Sequence, residues 1–375
     1  MKVLDSIKVL EIGGLGPGPF CAMHLADLGA DVISIVREEK HAAPTGNLLN
    51  RGKRSVFADL KTPEGKALVL ALVQDADALI EGMRPGVMER LGLGPDECLA
   101  INPKLVYGRM TGWGQHGPLA PRAGHDNNYA ALSGALWGCS PADARPVSSF
   151  AMVGDIGGGA LYLMTGLLAG IINARQTGQG MVVDAAIVDG AAHMLNLALS
   201  ARQRGVVADE RGQSIHDSSP FYETYVCADG HHITIGSIEP QFYALLLQTL
   251  GLDQDPDFAA QGADNAQWDK ATWPRRRARL QALFITQPRA HWQQLLEPTD
   301  VCFGAVMSPL EALRHPHMQA RAVYNEQGGV LQAAPAPRFG GAAYETNAMC
   351  AAGAHTAEVL AAVQNGNASQ AWRSA

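Results

Sequence analysis

Cysteine is scarce and scattered. The 375 residues include 6 cysteines (Cys21, Cys98, Cys139, Cys227, Cys302 and Cys350), and no two stand in CxxC spacing. That excludes a disulfide scaffold and leaves buried free thiols as the expectation. Basic charge is also in short supply. Lys and Arg number 29 against 36 Asp and Glu, for a formal net charge of −7. An acidic chain gains little from a phosphate backbone, so no nucleic-acid partner is expected. Long apolar runs are missing too. The best, 160–171, is interrupted by Gly166 and Gly170 and falls short of the roughly 20 residues that span a bilayer. The N-terminal stretch is broken by Asp5, Lys8 and Glu11 and cannot serve as a secretory core. The expectation is a soluble, cytoplasmic protein with no membrane partner. No repeat of fixed period is found. His231-His232 and His315-Pro316-His317 lack metal-ligand spacing, so no metal is expected.

What the chain does have is a core. Apolar residues make up 47% and charged residues 17%, a composition that packs, over a length that fits two domains. Apolar-rich segments at 7–12, 31–36, 78–81 and 105–110 read as strands. Helical patterns at 20–28 and 63–74 lie between them. Short β-α-β crossovers imply parallel strands, so the fold class is α/β. The large domain is Rossmann-like with a parallel sheet, and a smaller α+β domain follows. A helix at 160–175, a strand at 181–185 and a helix at 187–204 complete the large domain. The domains are read as 1–205, a polar linker at 206–219, and a small domain at 220–324. The segment at about 325–365 is expected to return to the large domain. In the small domain, strands near 223–227 and 232–236 flank an Ala-Asp-Gly turn. Helices are read at 241–251 and 273–286.

The first strand runs into a turn holding Gly13, Gly14, Gly16 and Gly18. Such a turn is either a tight connection or an anion cradle at a helix N-terminus. The dinucleotide fingerprint is broken, because Pro19 takes the third glycine's place and Arg37, not an acid, ends the second strand. Arginine there suits a ribose phosphate, as in NADP or coenzyme A. Arg51, Lys53, Arg54, Lys61 and Arg84 add basic residues at strand ends and turns, and suggest a polyphosphate ligand.

Three polar segments carry potential chemistry. They are Ala123-Gly124-His125-Asp126-Asn127-Asn128-Tyr129, Gly154-Asp155-Ile156-Gly157-Gly158-Gly159, and Gly236-Ser237-Ile238-Glu239-Pro240. Asp155 also reads as a helix N-cap, and Glu239 as the start of a helix with Pro240 at its first position. The glycines after Asp155 are expected to leave helix-start N–H groups open to a ligand.

With these segments, the stretches GPGPFCAMHLADLGADV, RGKRSVFADLK, RPGVMERLGLGP, GHDNNYAALSGAL and DGHHITIGSIEPQFY resemble the α-methylacyl-CoA racemases of the class III CoA-transferase (CaiB/BaiF-type) superfamily. The resemblance covers nearly the whole chain and fades after about Arg321. It implies an isomerase of lipid metabolism acting on 2-methylacyl-CoA thioesters, with no cofactor beyond the coenzyme A of its substrate. It also implies a homodimer of interlocked chains, with the site where one chain's large domain meets the other's small domain. Carried across, His125 and Asp155 are the acid/base pair, and Glu239 of the partner's small domain supports His125. Arg37, Ala58, Asp59, Leu60, Lys61, Gly124, Asp126, Asn127, Asn128 and Tyr129 match coenzyme A contacts, with Arg84 and Gly16 as further contacts. Met23, Met110, Met152, Met164 and Met194 are candidates for the acyl surface or for ordinary core.

The related CoA transferases use an aspartate at the Asp155 position as an acyl-carrying nucleophile, and typically have a glycine-rich loop where this chain has Ile238-Glu239-Pro240-Gln241. The family stretch around 300–307 usually has proline near Ala305. An NADP oxidoreductase and a non-catalytic acyl-CoA binder are the remaining alternatives.

Overall fold

The computed structural model describes residues 2–38, 47–258, 266–341 and 345–373. They divide into two compact units, one of 1–135, 148–194 and 316–375, the other of 136–147 and 195–315.

The first unit is built on six strands: β1 (Lys8–Ile12), β2 (Asp31–Val36), β3 (Arg54–Phe57), β4 (Ala78–Glu81), β5 (Val106–Thr111) and β6 (Met181–Ala186). Their order is β3-β2-β1-β4-β5-β6, every pair parallel. Strands buried on both faces need near-continuous apolar sequence, which Val9-Leu10 and Val32-Ile33 supply at 0% exposure. One face is covered by α1 (Pro17–Asp27) and α6 (Leu161–Thr177), through Leu25, Leu163 and Leu167. The other is covered by α2 (Pro63–Val73), through Leu68 and Leu72, and by Val359 of the helix Thr356–Gln364. The returning C-terminal segment caps the edge strand. Gly353 N–H donates to Ser55 Oγ, and Phe57 N–H donates to Thr356 Oγ1. An edge covered this way cannot pair with another chain. All strand carboxyl ends share one side of the sheet, and the order reverses between β1 and β4, where such sheets bind ligands.

Three of the basic residues read as ligand contacts are structural. Arg51 pairs with Asp27 at 2.6 Å, Lys53 with Glu11 at 2.8 Å, and Arg54 with Asp31 at 2.6 Å, all buried. Unpaired buried charge is costly, so each of these cations is committed to its acid.

The helix carrying Asp155 is longer than its sequence pattern suggested. A π-helical segment, Met152–Ala160, runs directly into α6. Together Met152–Thr177 is long and apolar enough by length and composition to cross a membrane, but Ala160, Leu163, Leu167, Ile171 and Ala174 are buried in the core. The expected 187–204 helix is two: α7 (Ile187–Met194) in the first unit and α8 (Asn196–Gln203) in the second. The glycines after Asp155 serve packing. A Cβ on Gly190 of α7 would lie 1.9 Å from Gly158 O, and one on Gly158 2.6 Å from Ala191 N. Gly190→Ala is therefore expected to cost about 1–3 kcal/mol by overpacking, read as a lower urea midpoint; an unchanged midpoint would show that the two helices can part freely.

The second unit holds α9 (Ile215–Ser218), β7 (Tyr222–Val226), β8 (His232–Gly236), α10 (Pro240–Thr249), α11 (Trp273–Phe284), α12 (Arg289–Leu296) and β9 (Phe303–Ala305). Its sheet is antiparallel in the order β7-β8-β9. Phe221, Tyr225, Trp273, Phe284 and Trp292 form its core. Ala305, where proline was the family expectation, sits in regular register opposite Ile233. Residues 206–219, read as a linker, are folded into this unit. Asp217 is buried and accepts N–H donors from Gly212 (2.7 Å) and Ser214 (3.0 Å).

Candidate active site

His125 is the N-cap of α5 (Asp126–Ser133), with extended backbone at φ −136°. Its N–H donates to Asn128 Oδ1 at 3.0 Å, and its carbonyl accepts Asn128 N–H at 2.8 Å. The cap fixes the backbone and leaves the imidazole exposed. Asp126, the first helical residue, is buried. Its Oδ1 accepts Asp155 N–H at 2.8 Å, and its Oδ2 accepts Ser148 Oγ–H at 2.7 Å. The histidine's neighbour thus holds the aspartate's backbone.

Asp155 lies in the first turn of the π-helical segment, entered through Phe150 (φ 41°) and Ala151 (φ 58°). Non-glycine residues in this region store strain, which clusters at functional sites. The Asp155 carboxyl rests against Gly16 at the start of α1. A Cβ there would come 3.1 Å from Asp155 Oδ2, and Gly16 itself has φ +70°. Glycine is needed on both counts. Burial pushes the Asp155 carboxyl above the usual carboxylate range; the charge on Asp126 pushes the same way, and His125 opposes them. The site therefore holds an imidazole and a half-buried carboxyl that feel each other's charge.

The coenzyme A candidates divide. Arg37 is exposed just past β2, Lys61 past β3 and Arg84 past β4. None of the three has an ion-pair partner among the described residues. The turn 58–61 is fixed by Lys61 N–H donating to Asp59 Oδ1 at 3.0 Å, with Ala58 and Leu60 half-buried. Below Arg84, Glu81 Oε2 accepts Met83 N–H at 2.7 Å and Glu81 Oε1 accepts Arg109 Nε–H at 3.0 Å. Asn127 and Asn128 are exposed on α5. Gly124 is half-buried; a Cβ there would meet the Tyr129 ring at 2.7 Å. Tyr129, read as a contact, is buried with its ring edge-on to Trp113 at 4.7 Å. Asp126, read likewise, spends both carboxylate oxygens inside the protein. Glu239 lies in the second unit as the N-cap of α10, exposed, with Pro240 at the first helical position. Its charge, after burial, raises the Cys302 thiol.

The expectation of helix-start N–H groups open to a ligand at Asp155 is corrected for the first two. Asp155 N–H is taken by Asp126, and Ile156 N–H by Ala151 O. Among the methionines, Met23, Met110 and Met164 are core, while Met152 and Met194 are exposed, and a Cβ on Gly157 would lie 3.0 Å from Met194 Cε. Sequence reasoning missed the bond between Asp126 and Asp155. A clue was present: Asp126 stands at the first position of its helix, where unpaired N–H groups favour a carboxylate.

A family model described as CoA-transferase family III matches residues 4–356. Alpha-methylacyl-CoA racemase from Mus musculus is 39% identical over 366 residues, covering 96% of this chain and 92% of the relative. The protein of the same name from Homo sapiens is 38% identical, covering 85% and 81%. A solved structure of a CaiB/BaiF family protein from Brucella suis superposes with a TM-score of 0.81 at 28% identity, covering 96% of this chain and 99% of that one. This chain belongs to CoA-transferase family III.

Proposed function

We propose that this protein racemises 2-methylacyl-CoA thioesters by moving a proton off one face of the α-carbon and returning one to the other. The observation that carries the reading is the pairing of His125 with an Asp155 carboxyl raised by burial and by Asp126. The thioester acidifies the α-carbon, so no cofactor is needed beyond the substrate's own coenzyme A. One proton is shared by the pair. In one direction neutral His125 abstracts while protonated Asp155 donates; in the other the roles exchange.

The enolate oxygen needs donors. Asn128 and Tyr129 N–H bond to His125 O, which leaves the N–H groups of Asp126 and Asn127 at the start of α5 to stabilise it, aided by the helix dipole. Exposed Met152, Met194, Phe150 and Leu15 surround the Asp155 turn with apolar surface for the acyl chain. Arg37, Lys61 and Arg84 bind the phosphates of coenzyme A at the carboxyl edge of the sheet. Arg37→Ala is expected to raise KM for the acyl-CoA roughly tenfold, the loss of a charge-assisted hydrogen bond, with kcat little changed; steady-state kinetics at low salt read it, and an unchanged KM removes Arg37 from the site.

The chain works as an interlocked homodimer, and Glu239 of a partner copy orients His125. Exposed Trp137, Leu197 and Leu199, at 59%, 80% and 52%, support a covering partner. Acyl transfer through Asp155 is the second reading. It is disfavoured because acyl transfer through Asp155 gives His125 no role, whereas proton exchange at two faces needs a second acid or base beside the carboxyl. Deuterium wash-in at the α-carbon in heavy water, with no acceptor acid or thiol added, separates the two. Exchange with loss of optical purity is expected. No exchange, with transfer to an added carboxylate, overturns the racemase reading.

A further inference from the structure

We infer that Asp126 is a positioning residue that couples the two halves of the proton-transfer pair, rather than a contact for coenzyme A. The inference deepens the racemase reading and rests on it. A single buried carboxylate, 8% exposed, joins three chain segments. It belongs to the helix turn that displays His125. It accepts the backbone N–H of Asp155 at 2.8 Å, and it accepts Ser148 Oγ–H at 2.7 Å. The approach to the Asp155 turn is close enough that a Cβ on Gly154 would stand 2.5 Å from Asp126 Oδ1. Residues 148–155 thereby hang from the residue next to His125, and the strained Phe150-Ala151 entry is closed by these bonds. Both oxygens are used inside the protein, so the carboxylate works through its neighbours.

The same charge acts on the reactive carboxyl. Burial is the largest influence raising Asp155, Asp126 is the next, and His125 opposes them. The other titratable groups on the elements packed against this turn are few. Tyr129 on α5 is raised by burial first and by Asp155 second. The first turn of α1 carries no acid. On α7 stand Asp189 and His193, the latter bonded to Tyr162 of α6 at 2.7 Å. Arg109 of β5 is held by Glu81 and Glu89, and Asp184 of β6 accepts Gln115 N–H. Asp126 thus favours the state in which Asp155 keeps its proton, the form that donates in one direction of the exchange.

Two substitutions test this. Asp126→Ala removes both bonds, and kcat for α-exchange should fall on the order of a hundredfold from misplacement of the pair, with KM for the acyl-CoA nearly unchanged. Asp126→Asn keeps an acceptor for Asp155 N–H and offers a donor to Ser148 Oγ, so it should rescue much of that loss. By removing the charge, it should move the acid limb of the kcat/KM profile to lower pH. A rise in KM with kcat intact in Asp126→Ala overturns the inference and restores the coenzyme A contact. Equal losses in both variants with no movement of the acid limb overturn it as well, leaving packing alone. A readout free of turnover keeps the two readings apart. With 13C-labelled aspartate carboxyls and Asp155→Asn to assign the resonance, Asp155 should titrate at lower pH in Asp126→Asn than in the parent protein. That shift in a parent that performs no α-exchange sinks the racemase reading and spares the coupling; its absence in a parent that does exchange sinks the coupling alone.

Discussion

Replacing either His125 or Asp155 with alanine is expected to cut α-hydrogen exchange by roughly a hundred- to ten-thousandfold, the span of a positioned acid or base. Each removes one face of the reaction, so the other cannot complete a turnover. Removing Glu239 should cost less, since it orients His125 without touching the substrate; equal losses in all three alanine variants would argue that Glu239 does chemistry itself. Exchange rates in heavy water with each enantiomer measure these effects. The pH profile follows from the shared proton. With both groups protonated no base is present, and with both deprotonated no acid is present, so activity is a bell and has the same shape for the two enantiomers. The limbs belong to the pair, and the carboxyl contributes to the acid limb. Folding raises the Asp155 pKa, so the proton is lost only at a higher pH than for a free aspartate, and the limb lies above the usual carboxylate range. Linkage adds a check on folding. A carboxyl raised by burial favours the folded state while protonated and disfavours it once ionised. Asp155→Asn is therefore expected to be inactive yet more stable than the parent at neutral pH. An inactive variant that is also destabilised would point to lost structure.

The α/β layer was readable because strands buried on both faces must be almost wholly apolar, and 31–36 and 78–81 satisfy that with no competing helical period. Strand β3 was not, since Arg54-Ser55-Val56-Phe57 opens with a charge and is only 4 residues long. Its charge is tolerated because Asp31, on the neighbouring strand, meets it. The same blindness promoted Arg51, Lys53 and Arg54 to ligand contacts. A sequence shows a basic residue but not the acid that faces it from 23 to 42 positions away. His125 and Asp155 stood out through their polar segments and through resemblance. The link between them did not, because it runs through a backbone N–H that carries no residue identity. The division of 187–204 into two helices was also hidden, since Leu195 fits either helix as well as a break between them.

Lys53 is where a single substitution should cost the most stability. Its ammonium is 0% exposed, bonds both oxygens of Glu11 at 3.0 and 2.8 Å, and donates to Pro19 O at 3.0 Å. Glu11 belongs to β1 and Pro19 to the first turn of α1, so this cation clasps the two sides of the turn that carries Gly16. Lys53→Met leaves the Glu11 carboxylate buried and unpaired, and a loss of about 3–5 kcal/mol is expected, read from urea unfolding. Lys53→Met with Glu11→Leu removes both charges and should recover most of that loss, because the desolvation cost goes with the pair. Activity should not recover in step. The Asp155 carboxyl leans on Gly16, and the double variant still lacks the bond that holds Pro19, so its kcat should remain below the parent value when its stability does not. If stability and kcat return together, the turn is held by packing alone and the clasp contributes only charge compensation.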